Sequence, residues 1–333
     1  MKRMAALLLI MLMSAAVHAQ IKKNAELYGA LRYSFNYIDE KEMWQIKGLQ
    51  GRGNLSWLGI KGEWGRESLA VFFNLQVEAY SDASAGGPFK QRYYYGGLKG
   101  RFGRIAFGRM TNAYKKITVQ NDVFWHFSKI KNSGQYATYG PSYGQAPAAS
   151  GYTDNTLQYS SPVFEGLQLT GSISIDDSNA DDHGFVAAGS FSRGSISAGL
   201  VAAFNGETAA ALPGIDPGGE AIRGYIALEK KSVRLKLSFE NADSGGENIN
   251  YAFAAVVLPM AKIKTDFQAA VGWVGSGPLE GFGGSIGMFH TILENARIFA
   301  LLSLVDLESG QSPFVISLGA DYNFSFDITG NQD

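Results

Sequence analysis

The chain is 333 residues long, 46% hydrophobic and 13% aromatic, with 41 glycines, 9 prolines and no cysteine. Its 29 Lys+Arg against 30 Asp+Glu leave a net charge of −1, which provides no basic footprint for nucleic acid. The lack of cysteine removes disulfide staples, thiol redox chemistry and thiolate metal sites.

In chain order, Lys2 and Arg3, an apolar run from Ala5 to Met13, and Val17-His18-Ala19 read as a secretory signal peptide over 1–19, cleaved near Gln20. The run is too short for a membrane anchor, and no later run reaches the 18 or so apolar residues of a transmembrane helix. If the exported chain crosses a membrane, it does so as a β-barrel.

From there the hydrophobic period is two. Leu27, Leu31, Tyr33, Phe35 and Tyr37 share one face of a segment whose other face carries Glu26, Arg32, Ser34 and Asn36. Sixteen such segments are predicted, at 26–37, 53–64, 68–80, 89–100, 103–110, 154–161, 166–176, 183–191, 194–204, 220–230, 232–242, 247–259, 262–274, 281–292, 296–306 and 313–326. Many are about twice the five or six residues usual for a soluble sandwich. Short connections such as 65–67 and 100–102 alternate with long ones such as 38–52, 110–153 and 205–219, the rhythm of periplasmic turns and external loops. The expected fold is therefore all-β, a sixteen-stranded antiparallel transmembrane β-barrel over 20–326, followed by a periplasmic tail at 327–333. So wide a ring encloses water.

The segment 110–153 has no strand pattern, and a structureless stretch that long is uncommon unless functional. Its Val123, Phe124, Trp125 and Phe127 are too apolar to be left in solvent. Of the histidines after residue 19 (His126, His183 and His290), only His290, near Asn295 and several serines, faintly suggests a hydrolase site. Asp176, Asp177, Asn179, Asp181 and Asp182 form an acidic loop without the glycine and distal glutamate of a calcium loop. No cofactor or metal site is expected.

Leu27-Tyr28-Gly29, then Leu58-Gly59-Ile60-Lys61-Gly62, then Arg92 to Lys99 followed by Phe107-Gly108-Arg109, and finally Asp154 to Pro162 with Phe164 to Leu167 resemble, in this order, the general porins of Gram-negative bacteria. The resemblance covers essentially the whole mature chain. It implies a cell outer-membrane channel, exported through the periplasm, that forms a homotrimer and passes ions and small hydrophilic solutes without enzymatic activity. The implied partners are outer-membrane lipid, lipopolysaccharide and the barrel assembly machinery. That machinery reads an aromatic-ended last strand, here the face Phe314 to Phe326.

The resemblance also implies that 110–153 is the third external loop and folds into the lumen to narrow it. In such proteins, acids on that loop oppose arginines on the wall. Arg92 matches a wall arginine, whereas Trp57 stands where relatives often carry a second. The expected constriction comprises Arg32, Lys61, Arg92 and Arg109 on strands, with Lys115, Lys116, Asp122, Lys129 and Lys131 on the loop. One acid among so many bases predicts a mild preference for anions. The rival readings are a substrate-selective channel, whose aromatic loop residues and Tyr94 guide a sugar or an aromatic acid, a lipase-like barrel enzyme, and a structural barrel.

Overall fold

On β1 (Lys22–Glu40) the alternation of apolar and polar residues becomes an alternation of outside and inside. Leu31, Tyr33, Phe35 and Tyr37 are exposed, while Arg32, Ser34 and Asn36 are buried. A computed structural model describes residues 22–40, 46–79, 89–125, 141–145, 151–175, 183–207, 212, 215–244, 246–277 and 279–329. The leader at 1–19, the acidic cluster at 176–182, His126 and the end of the tail at 330–333 lie outside the described residues.

Sixteen strands follow β1. They are β2 (Ile46–Gly53), β3 (Ser56–Arg66), β4 (Leu69–Ala79), β5 (Phe89–Gly100), β6 (Gly103–Met110), β7 (Thr153–Ser160), β8 (Leu167–Ile175), β9 (His183–Arg193), β10 (Ile196–Phe204) and β11 (Glu220–Glu229). They continue as β12 (Arg234–Ser244), β13 (Glu247–Met260), β14 (Thr265–Val274), β15 (Gly281–Leu293), β16 (Ala296–Leu307) and β17 (Phe314–Asp327). Neighbours pair antiparallel, and β1 pairs with β17 to close the sheet. Closure leaves no sheet edge, so the backbone donors and acceptors of the wall are satisfied where no water can reach them.

Because β2 and β3 both pair with β1, they form one barrel strand, interrupted at Asn54 and Leu55. Leu55 takes a left-handed φ of 55°. The gap is bridged by the Asn54 N–H, which donates to the Arg32 carbonyl at 3.0 Å, and by the Asn54 amide, which donates to Ser34 Oγ at 2.8 Å. The seventeen stretches thus make sixteen barrel strands. Several boundaries shift from the sequence reading, and two of the shifts have a plain physical cause. Much of the expected loop at 38–52 is strand, because β1 and β2 stay paired beyond the apolar belt, where the ladder needs no alternation of side chains. The strand expected from 262 begins at Thr265, because Ala261–Ile263 forms a 3-10 turn and Lys264 adopts a φ of 51°.

At one end of the barrel, β3–β4, β5–β6, β9–β10 and β15–β16 are each joined by two residues. The other end carries the longest connections, 80–88, 111–152 and 205–219, although β12–β13 is joined there by two residues as well. Past Phe326 the chain stays paired, with Asp327 opposite Glu26 and the Ile328 N–H donating to the Ala25 carbonyl at 2.9 Å. Asp321 on β17 holds Arg32 of β1 at 3.3 Å and Arg297 of β16 at 2.5 Å, an inward-facing knot at the seam.

Inside the barrel lies a helix, α1 (Ala113–Asn121). Asn112 caps it by accepting from the Lys115 N–H at 2.9 Å, satisfying one of the donors that a helix start leaves open.

Candidate functional site

The long segment after β6 is tied to the far wall by a buried polar network. The Tyr114 hydroxyl on α1 donates to Glu240 on β12 at 2.5 Å, and Glu240 also receives the guanidinium of Arg223 on β11 at 2.7 Å. All three side chains are essentially excluded from solvent. Across the helix end, Asp122 accepts from the Ser142 hydroxyl and from the Phe124 N–H at 2.8 Å. Burial pushes the Asp122 carboxyl up to about 6, against the pull of those two donors. Lys236 on β12 donates to the Gln120 carbonyl.

Apolar contacts fasten the same segment. Phe124 sits 6.2 Å from Phe289, which stacks on Phe299 at 5.7 Å. Tyr143 crosses β14 and β15 and donates its hydroxyl to the Leu279 carbonyl at 2.5 Å. Glycines on the inner wall make room for it: a methyl group at Gly272 would run into the carbonyl of Tyr143, and one at Gly283 would come within 2.7 Å of its ring.

With one side of the lumen so occupied, a cavity of about 420 Å³ remains between α1 and the opposite wall. Arg32, Lys61 and Arg92 line it from β1, β3 and β5, and Lys115 and Lys116 line it from α1. No carboxylate lines it among the described residues. Carboxylates do partner three of the cations: Asp321 for Arg32, Glu26 for Lys61 at 3.0 Å and Glu78 for Arg92 at 3.7 Å. Aromatic rings fill the intervals between the charges. Lys61 lies 4.5 Å from the Tyr28 ring, Tyr28 meets Trp57 edge to face at 4.9 Å, and Lys115 lies 4.0 Å from the Tyr152 ring.

Arg92 owes its place to a bulge. Gln76 of β4 pairs with Tyr93 and Val77 with Gln91, so Arg92 is the extra residue, and its side chain is released from the outward aim that parity with Tyr94 would impose.

A closed sixteen-strand wall, an apolar exterior and a loop-lined cationic passage describe a channel, and the sequence comparisons agree. The Gram-negative porin family matches residues 5–329. The chain belongs to that family. It is an outer-membrane channel for small solutes. No curated protein sequence matches this porin. Among solved structures it is similar to an anion-selective porin from Comamonas acidovorans, with 16% identity, 91% of this chain and 100% of that one covered, and a TM-score of 0.72. It is also similar to the trimer form of OmpT, an outer membrane protein of Vibrio cholerae (13%, 91% and 99%, TM-score 0.64), and to a mutant of the Rh. blastica porin (12%, 92% and 100%, TM-score 0.64). At these identities the likeness is one of fold.

The other residues expected at the narrows of this porin are placed differently. Arg109 pairs in register with Tyr94, which is exposed on the outer surface, and its guanidinium meets Asp154 at 2.5 Å. It lies 5.7 Å from the Tyr152 ring but does not line the cavity. The reason is parity: Ile105 and Phe107 face out while Ala106 and Met110 face in. Asp122 is sealed in its own hydrogen bonds and faces no passage. Lys129 and Lys131 lie outside the described residues. His290 shares a 3.0 Å hydrogen bond with Thr265.

Sequence reasoning missed Tyr114, Arg223, Glu240 and Tyr152. A signal existed for the buried pair, since Arg223 and Glu240 are charges on the inward faces of otherwise ordinary strands.

Proposed function

We propose that this porin conducts small hydrophilic solutes with a preference for anions, set where α1 faces β1, β3 and β5. The observation that carries this reading is the lining itself: five cations from two sides and no carboxylate among the described lining residues. Charges of one sign in a passage walled by low-dielectric material raise the local concentration of counter-ions and exclude co-ions. The partner carboxylates Glu26, Glu78 and Asp321 lower the field without cancelling it, because none of them lines the cavity itself. The Comamonas acidovorans neighbour, called anion-selective, points the same way.

The working unit in this reading is a trimer in outer-membrane lipid and lipopolysaccharide, inserted by machinery that recognises the β17 face. The family and the trimer form of the Vibrio cholerae neighbour support it.

The test is the reversal potential of the purified protein in a planar bilayer across a tenfold KCl gradient. A potential of the sign set by chloride is expected, and one set by potassium overturns the proposal.

A further inference from the structure

We infer that the narrows bind aromatic carboxylates, anions that carry a carboxylate on a flat ring, and do not act only as a filter for charge. The inference rests on the reading of this cavity as the conducting passage and adds a ligand class to it.

Arg92 supplies the first half of the argument. Its Nε and Nη1 are buried without a hydrogen-bond partner among the described residues. Glu78, at 3.7 Å from Nη1, is near enough for Coulomb attraction but beyond hydrogen-bond range. A guanidinium offers its N–H groups as a planar fork that fits a carboxylate two-pronged, which chloride cannot exploit. Arg32 stands near Arg92, and Lys115 shares the Tyr152 ring with Arg92, the lysine lying 4.0 Å and the arginine 5.2 Å from the ring centre. A carboxylate arriving there meets several positive charges at once.

The rings supply the second half. Trp57 enters from the wall and Trp125 from the loop, both lining the same space as Arg92. Indole and phenol faces offer flat, polarisable surfaces for stacking. The cavity of about 420 Å³ is within the range of small-ligand sites. A neutral sugar would use the rings and leave the cations idle, and acetate or chloride would use the cations and leave the rings idle. A planar aromatic acid uses both. Occupancy has to be brief, because conduction requires a site that releases what it holds. The half-occupied concentration is therefore expected in the millimolar range, on the order of 1 mM.

The experiment is block of the single-channel KCl current in a planar bilayer by sodium benzoate, with acetate and cyclohexanecarboxylate as probes of the same charge without an aromatic ring. Benzoate is expected to halve the current at millimolar concentration, and the other two to need about tenfold more. Arg92→Lys, which keeps the charge and removes the fork, and Trp57→Leu are each expected to raise the half-blocking benzoate concentration about tenfold. If benzoate blocks no better than cyclohexanecarboxylate, or blocks both variants as well as the parent, the site is refuted even where the reversal potential still follows chloride. A potential following potassium defeats the anion reading itself, so the two failures are distinguishable. The three-anion comparison on the unaltered protein decides the matter should either variant fail to form channels.

Discussion

Tyr114 and Glu240, 126 positions apart in the chain, meet in a 2.5 Å hydrogen bond where neither side chain sees solvent. The bond joins a helix inside the barrel to the barrel itself, so the width of the passage on the opposite side depends on it. Tyr114→Phe removes the donor and leaves a carboxylate oxygen underserved, at a cost of about 1–3 kcal/mol. The expected result is flickering single-channel current with a barrel whose thermal stability falls by no more than that cost, since the wall ladder is untouched.

Glu240→Gln is a harsher change. It strips the buried Arg223 of its charge partner, and breaking such a pair from one side costs about 3–5 kcal/mol. The variant is expected to unfold at lower temperature or denaturant in detergent, with Arg223→Met combined with Glu240→Gln recovering part of the loss. Equal stability of single and double variants would argue against coupling.

Asp122 sets a pH dependence. Its ordinary value is 3.8 and burial raises it to about 6, so the folded protein holds this proton more tightly than the unfolded chain does. Stability from this group is therefore highest below about pH 4, falls as the pH rises to about 6, and is flat above. The full difference is at most ~3 kcal/mol. Asp122→Asn is expected to flatten the pH profile of denaturant unfolding between about pH 4 and 6.

Which parts of this were readable in advance follows from what each part packs against. Wall strands face lipid on one side and polar groups or water on the other, and that contrast is written residue by residue, so β5 and β6 were predicted with the boundaries they have. The extension of β1 and β2 was not, because beyond the belt charged residues and glycines such as Asp39, Glu40, Lys47 and Gly48 interrupt the apolar face and the alternation loses its cause. The loop was harder still. The place of α1 depends on partners such as Glu240, Phe289 and Gly272 from strands far along the chain, and no local pattern announces them. Arg92 was assigned to the lumen through family likeness, and strand parity alone would have pointed it outward.

Gly272→Ala tests how closely the loop is seated. Its new methyl would collide with the Tyr143 backbone, and backbone moves less readily than a side-chain end. Displacement of that turn is expected to appear as altered conductance. Gly284→Ala, whose nearest neighbour is the Ala270 carbonyl at 3.8 Å, is the matched control and should conduct as the parent does.

Selectivity should fade with salt. The screening length is about 10 Å at 0.1 M and about 3 Å at 1 M, so charges set back from the passage lose their reach first. Reversal potentials at a fixed gradient are expected to approach zero as both sides are made more concentrated. Lys116→Glu, a change at an exposed helix position lining the cavity, should move them towards potassium at every concentration.

The seam between β1 and β17 also bears on how the protein comes into being. Glu26 lies opposite Asp327, so the first and last staves of the cylinder are neighbours in space and nearly a full chain length apart in synthesis. Contacts so remote are slow to form, since the connecting polypeptide must first give up its freedom. Until β17 emerges, β1 has an unsatisfied edge and the greasy ribbons of the wall have no bilayer to face. The nascent molecule therefore has to be carried across an aqueous space as an open, aggregation-prone thread, and loss of its closing stave would abolish the tube rather than shorten it.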